Sequence, residues 1–518
     1  MPLPKDVLSQ YAFDGMRDAL EPQTGSARKA KLLLNVYPQD ERFGGGLTGR
    51  PGFQVMGVQI GSGGTVQRVY QYTKLAGTET TVGFAGGLMY TFNWSTRAWT
   101  GVTLVGVSLH ASARIFCTTY TDKLIVNPND GTNKPWMWDG TTFTSLTNCP
   151  TLYGRLVVHY GKLFGIKWAA RGTIVWSEEN DPTLGYDTAP YTNSWQLSQT
   201  SPEPLRVLHA TNAGLYYWRP RSAGIITGAV TPDFSSTGTH DALSESTGAA
   251  DPNALIPYDT EVFFLDADGR PNVLTVGGGI RPIWDDLRNT LINVPRSTLN
   301  VSVGAAWPQI PLVLLGLAEI NQTVPNVAVA IQPGDPESPI AGLWRGFPMA
   351  SLDTVKDGNS VPVIVHGSSD GYVYDHGQAD GTLWNDALQA GTVAISHQVQ
   401  GSYLGVETRR NRRYDLIEIS LKAFSSMTGV TFSYETPTQQ ETSAAFSVSG
   451  GTGIWDQGVW DTATWSVPGA EARGQIGIEA VGPWLLPQLL HSGTSEQFGF
   501  NGWAVDSYLE PAREASAP

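Results

Sequence analysis

Eight histidines, His110, His159, His209, His240, His366, His376, His397 and His491, are the side chains best suited to metal or acid–base chemistry, and their spacing favours neither. None falls in an HExxH or other close ligand pattern, and the pair His366 and His376 flanks a hairpin pattern, so satisfied or exposed imidazoles are expected. A Gly-x-Ser-x-Gly match runs from Gly367 to Gly371. A nucleophile elbow needs a helix after it, whereas a second strand pattern, Tyr372–Asp375, follows, so a turn is the reading. Gly44-Gly45-Gly46 lacks the Lys-Ser/Thr of a phosphate loop and reads as a joint. Asp266-Ala267-Asp268-Gly269 resembles the start of a calcium loop without its later glutamate; a hairpin turn is expected. A glycosidase needs two carboxyls ~5–9.5 Å apart. The nearest approach to a sialidase-type Ser-x-Asp-x-Gly-x-x-Trp turn is Ser368-Ser369-Asp370-Gly371, with the glycine displaced by one and no second copy. Cys117 and Cys149 have no ligand spacing and read as buried small hydrophobes. The expectation is a protein with no catalytic residue, metal or cofactor, and not an enzyme.

Two groups point to contacts rather than chemistry. Arg409, Arg410, Arg412 and Arg413 form the one dense basic patch. Such a patch can meet phosphates, or carboxylates across a subunit contact, and the subunit contact is the expectation in an acidic chain. Trp136 and Trp138 share one strand face, and Trp455, Trp460 and Trp465 form a second group; packing in a core or interface is preferred to sugar stacking.

The elements that would position these residues are short strands. The chain has 518 residues, with 58 Gly, 33 Pro and only 15% charged residues. With 17 Trp, 19 Tyr and 17 Phe it has ample apolar surface to fold. Its net charge of −14 opposes tight DNA wrapping. No apolar run reaches the ~18 residues of a membrane span, and the opening MPLPKDVLSQYAFDGM lacks a signal core of ~7–15 apolar residues. Helical spacing is limited to Lys5–Leu20 and Ile283–Leu291. Strand pairs recur instead: Leu88–Phe92 toward Trp99, Lys123–Val126 with Trp136–Trp138, Arg155–Tyr160 with Leu163–Ile166, and Leu215–Trp218 with Gly224–Thr227. Glu261–Leu265 with Asn272–Val276, Leu312–Leu317 with Asn326–Ile331, and Pro362–His366 with Tyr372–Asp375 continue the series. A recurrence of roughly 40–50 residues is the spacing of propeller blades, because a single small sheet cannot cover both its faces. Two β-sandwiches are the alternative. The fold expected is mainly β: a six- or seven-bladed β-propeller over 51–394, an extended N-terminal arm over 1–50, a C-terminal β-sandwich module over 395–510 and a flexible tail over 511–518. The arm is expected to pack on the main domain or on a neighbouring subunit.

Several segments together resemble the tail nozzle, or packaged-DNA stabilisation, proteins of short-tailed bacteriophages. NVYPQDERFGGGLTGRPGF, Asn35 to Phe53, is similar to the Asn-x-Tyr-Pro and Arg-Pro-Gly-Phe elements that precede the first blade in that family. GLMYTFNWSTRAWTGV, KLIVNPNDGTNKPWMWDGTTFTSL and IVWSEENDPTLG resemble its blade hairpins, and WDQGVWDTATW its C-terminal tryptophan repeat. The resemblance implies a structural virion protein, made in the host cytoplasm. It implies a homo-oligomer, a hexameric ring in the phage tail below the head-to-tail adaptor and portal. A tail needle or fibre could join distally, and genomic DNA would pass transiently and without specificity. A receptor- or polysaccharide-binding tail protein and a propeller glycosidase are the alternatives.

Overall fold

The computed structural model describes residues 5–509 except 12, 19–28, 40–45, 198–202, 228–238, 336–338, 377–384, 389–390, 407–410, 424–426, 444–445, 449–469 and 494–495. The protein is mainly β, built from many small antiparallel sheets in a propeller-like succession. Sheet 1 comprises Val66–Thr73, Glu79–Ala85, Leu88–Asn93 and Ala98–Val102. Sheet 2 comprises Phe116–Tyr120, Lys123–Asn127, Trp136–Trp138 and Phe143–Ser145. Sheet 3 holds Leu152–His159, Lys162–Lys167, Thr173–Glu178 and Asp181–Gly185, with Ser194–Gln196 added. Sheet 4 holds Val207–Thr211, Gly214–Trp218, Ala223–Thr227 and Thr239–Ser244. Sheet 5 holds Leu255–Tyr258, Glu261–Leu265, Pro271–Thr275 and Ile280–Pro282. Sheet 6 begins Val303–Trp307, Leu312–Leu317, Val327–Ile331 and Ile340–Arg345, and sheet 7 begins Ser351–Lys356, Pro362–Gly367 and Val373–His376.

The alternation of strand side chains explains how these sheets stack. Leu124, Val126, Trp136 and Trp138 of sheet 2 pack with Tyr72, Val82 and Phe84 of sheet 1. The intervening Ile125 and Met137 face the other way, onto Leu163 and Val175 of sheet 3. The same division repeats around the molecule. Phe164 and Trp176 meet Leu208 and Tyr217, Trp218 meets Phe264, and Phe263 meets Val313 and Leu315. Trp307 and Trp344 meet Ile364 and Tyr374. Val355 and Val365 of sheet 7 then pack with Val66, Val69 and Trp99 of sheet 1, so the order of packing returns to its start. Each sheet thus covers its neighbour's face, which no sheet of four short strands does alone. Turns follow the expected chemistry: Asp266 accepts from the amides of Asp268 and Arg270 at 2.9 Å each, and Gly269 takes φ +82°.

The described part of Lys5–Leu20 departs from the expected helix. Lys5–Gln10 is a strand, antiparallel to Gly499–Leu509 with Lys5 opposite Tyr508 and Gln10 opposite Trp503. Its alternating burial shows that the sheet edge, and not the intrinsic helical spacing, decides its conformation. The second helical segment is present as the short turns Asp285–Leu287 and Arg288–Ile292. Among the described residues no helix is long and apolar enough to cross a membrane.

The residues before sheet 1 are woven through the rest. Leu32–Leu34 lies between Ile340–Arg345, to which it is parallel, and His397–Gln400, to which it is antiparallel. Sheet 6 thereby continues into Leu486–His491 and Met427–Glu435. Val36–Pro38 and Leu47–Gly49 join a second sheet with Gly499–Leu509, Arg412–Ala423 and Ala470–Gly482. Ile417, Trp503 and Val505 of this sheet share one apolar cluster with Val399, Phe432 and Leu489 of the extended sheet 6. Phe53–Val55 pairs antiparallel with Val373–His376 as the fourth strand of sheet 7, and Asn385–Leu388 and Gly391–Ala394 lie beyond it. The expected tail, 511–518, lies outside the described residues.

Candidate functional site

Arg50 stands where all these pieces meet. It is fully buried, at 0% exposure. Its guanidinium donates to both oxygens of Asp386, one at 2.8 Å, to Asn35 Oδ1 at 3.0 Å, and to the carbonyls of Pro51 and Arg345 at 3.1 Å each. Asn35, in the left-handed region at φ +55°, also accepts from the Arg345 amide at 2.7 Å and donates to the Ser396 carbonyl at 2.8 Å. Asparagine tolerates that conformation better than most residues. One arginine and one asparagine therefore tie the N-terminal strands to sheets 6 and 7 and to the segment leading into the C-terminal strands. Phe53 completes the joint, edge-on to Phe347 at 5.4 Å, His366 at 4.8 Å and Tyr374 at 5.3 Å.

Two buried histidine pairs flank Arg50. His366 Nδ1 and His376 Nε2 are 2.9 Å apart, and His397 Nδ1 and His491 Nδ1 are 3.3 Å apart. Burial, reinforced by the Arg50 charge, pushes His366 down to about 3 and His376 well below the ordinary range. Burial also lowers His397 strongly and outweighs Glu496 in lowering His491. These imidazoles are neutral hydrogen-bonding core groups. Burial raises Asp386 despite its arginine, as desolvation of a buried pair predicts.

A second constellation lies where the first strands of the sheets converge. Arg68, Arg114, Arg155 and Arg206 come from the inner edges of sheets 1 to 4, and Asp251 and Asp353 from those of sheets 5 and 7. Arg68 pairs with Asp353 at 2.7 Å, and Arg114 with Asp251 at 3.6 Å. Arg114 donates further to the Ser302 carbonyl at 2.9 Å, and Arg206 to the Tyr153 hydroxyl at 3.3 Å. Burial pushes Asp353 up to about 6 and Arg155 down to about 10, the latter helped by Arg68. His209 beside them falls to about 4 through burial and the Arg155 charge. None of this was evident from sequence. The available signal was the recurrence of arginine at 68, 114, 155 and 206, intervals of 46, 41 and 51 residues that match the blade spacing.

The residues expected to make a subunit contact divide. Arg409 and Arg410 lie outside the described residues. Arg412 is buried, donating to Asp6 at 2.9 Å and Ser507 at 3.1 Å within the chain, and Arg413 pairs with Asp415 at 2.7 Å. Trp136 and Trp138 are core residues against Phe143; Trp455, Trp460 and Trp465 lie outside the described residues. Ser368, the residue before Ser369 of the Gly-x-Ser-x-Gly match, accepts from the Tyr372 amide at 2.9 Å with its hydroxyl hydrogen-bonded to Asp370, in a strand-to-strand turn that also holds Ser369. Cys117 and Cys149 are buried free thiols. Among the described residues no group of three or more His, Cys, Asp or Glu could hold a metal ion. A polar cleft of about 270 Å³ is lined by Val107, Ser108, Asn133, Lys134 and Trp136 and includes no residue of either constellation.

No protein-family model matches the chain, and no curated protein does. Among solved structures it is similar to PorZ, a surface component of the type-IX secretion system of Porphyromonas gingivalis, at 10% identity and TM-score 0.37 over 69% of this chain and 43% of that one. The chain thus spans less than half the length of PorZ. It is also similar to the N-terminal domain of Nup159, at 11% identity and TM-score 0.37 over 63% of this chain and 95% of that one.

Proposed function

We propose that this protein is a non-catalytic structural subunit of a phage tail. In this reading sheets 1 to 7 are the blades of a seven-bladed propeller whose last blade takes its outer strand from Phe53–Val55. The C-terminal strands, with Lys5–Gln10 and Leu47–Gly49, make a two-sheet sandwich clamped to it. The observation that carries the reading is a coincidence of sequence and place. Asn35, Arg50 and Phe53, residues of a segment that resembles the opening of tail nozzle proteins, are the buried joint between the two halves. A part that must transmit load needs its halves locked together, and a residue triad buried at the joint supplies that. Six copies in a ring would form a channel below the adaptor and portal, for genome retention and ejection; an acidic chain lets DNA pass without holding it.

The test is assembly. Purified chain mixed with the adaptor–portal complex should join it, and single-particle images should show a ring with a central hole. A chain that remains monomeric and never co-assembles would overturn the reading.

A further inference from the structure

The convergent arginines do something the structural reading does not require. Four guanidiniums face two carboxylates, an excess of two positive charges inside a chain whose total is −14. The two carboxylates are already taken: Asp353 by Arg68 and by the Val69 amide at 3.1 Å, Asp251 by Arg114 and by the Asn253 amide at 2.9 Å. Arg155 is left over. Among the described residues its guanidinium makes no side-chain hydrogen bond or ion pair; it feels Arg68 and, in the attractive sense, Asp353 and Tyr70, and acts in turn on His209. The residue is half-buried in the first strand of sheet 3, and its guanidinium carries five N–H donors; burial is what lowers it most. Arg206 spends one nitrogen on a neutral tyrosine hydroxyl.

Like charges gathered in a partly desolvated place repel, and nothing in the packing of the blades calls for them. A fully apolar lining would hold the inner strands as well. Guanidinium forks are the groups that recognise tetrahedral oxyanions in two-point fashion. We propose that the axis of the sheet ring is an oxyanion site, taking one phosphate dianion through Arg155 and Arg206, with Arg68 and Arg114 completing the positive field. The dianion matches the excess charge. Free inorganic phosphate and the terminal phosphate of a small ester share this chemistry. The site is independent of whether the chain assembles into a tail.

The experiment is titration calorimetry of the full chain with inorganic phosphate, and separately with a nucleoside monophosphate, in chloride buffer at constant ionic strength. Saturable binding of one phosphate is expected. Arg155→Gln should weaken it at least ~10-fold, the value of one charge-assisted donor pair, and Arg155→Lys by less. Arg296→Gln, which removes an exposed surface arginine, should leave binding unchanged. Binding of the ester with the same loss in Arg155→Gln would assign an opening wide enough for a substituent; binding of phosphate alone would assign the enclosed form. Absence of saturable heat, or equal responses of Arg155→Gln and Arg296→Gln, would overturn the proposal. Near-ultraviolet circular dichroism checks folding of each variant. If Arg155→Gln fails to fold, Arg206→Gln carries the same comparison.

Discussion

Replacing Arg50 by methionine tests the joint, and the structure fixes how large the effect should be. The substitution strands Asp386, which is 3% exposed, without its counter-charge, and strips a donor from Asn35 and from the carbonyls of Pro51 and Arg345. Breaking a buried ion pair from one side costs ~3–5 kcal/mol. Asp386 has one escape, which is to take up a proton. From its ordinary value of 3.8, protonation at pH 7 costs about 4.4 kcal/mol and at pH 5 about 1.6 kcal/mol, at ~1.36 kcal/mol per pH unit. The charge part of the loss in Arg50→Met is therefore capped at about 4 kcal/mol at neutral pH and shrinks on acidification. The sign follows from linkage: the stranded carboxyl has a folded pKa above its unfolded value, so its penalty is full at high pH and is relieved as pH falls toward 3.8. Urea unfolding of wild type, Arg50→Met, Asp386→Leu and the double variant, read by tryptophan fluorescence at pH 7 and pH 5, measures each term. The double variant should recover most of the loss, since two apolar side chains replace a buried pair at little net cost. A single-variant loss below about 1 kcal/mol, or a double variant no better than Arg50→Met, refutes the assignment of Arg50 as the joint.

Acid should weaken the wild-type protein. His366, held to about 3, is neutral in the fold and protonated once unfolded, so its stabilisation is complete above ~6.5 and about 2 kcal/mol of it is lost by pH 5. His376 and His397 act in the same direction, while Asp353, raised to about 6, offsets part of the loss; Tm is expected to fall between pH 7.5 and 5. Gly342→Ala should loosen the N-terminal strands, because a Cβ there would sit 2.5 Å from the Val36 carbonyl oxygen and 3.0 Å from that of Leu33. A cost of ~1–3 kcal/mol and faster proteolysis near residues 30–40 are expected. Cys117 and Cys149, whose thiols burial pushes far up, should ignore a thiol reagent in the native protein and react only on unfolding.

The hairpins were legible because their signals are local. Turn residues such as Asp266 to Gly269 and Gly161 punctuate alternating apolar runs, and each expected pair from Leu88 to Asp375 lies in a sheet. The first strands, such as Val303–Trp307 and Ser351–Lys356, carry no such mark, since what holds them is the neighbouring sheet and not a turn. The N-terminal strands were still less legible: Leu32–Leu34 pairs with residues more than 300 positions away, and nothing near it in sequence encodes that. Lys5–Gln10 misled for the same reason. The arginines at 68, 114, 155 and 206 are single residues in or just before the first strands of sheets 1 to 4, brought together only by the packing of those sheets. The histidines read as core groups, but their pairing requires the hairpin register that sets His366 opposite Tyr374 and His376 one turn of the alternation away.

The pairing of Lys5–Gln10 with Gly499–Leu509 has a consequence for the chain's birth. Lys5–Gln10 must wait for Gly499–Leu509 to be made before it finds its partner, and at ~5–20 residues per second that is roughly half a minute or more. Throughout this interval the sheets in the middle can close successively while Leu8 and Gln10 remain uncovered. Translation speed, or a chaperone that shields this waiting strand, should therefore govern the yield of native protein more than the stability of the finished molecule does.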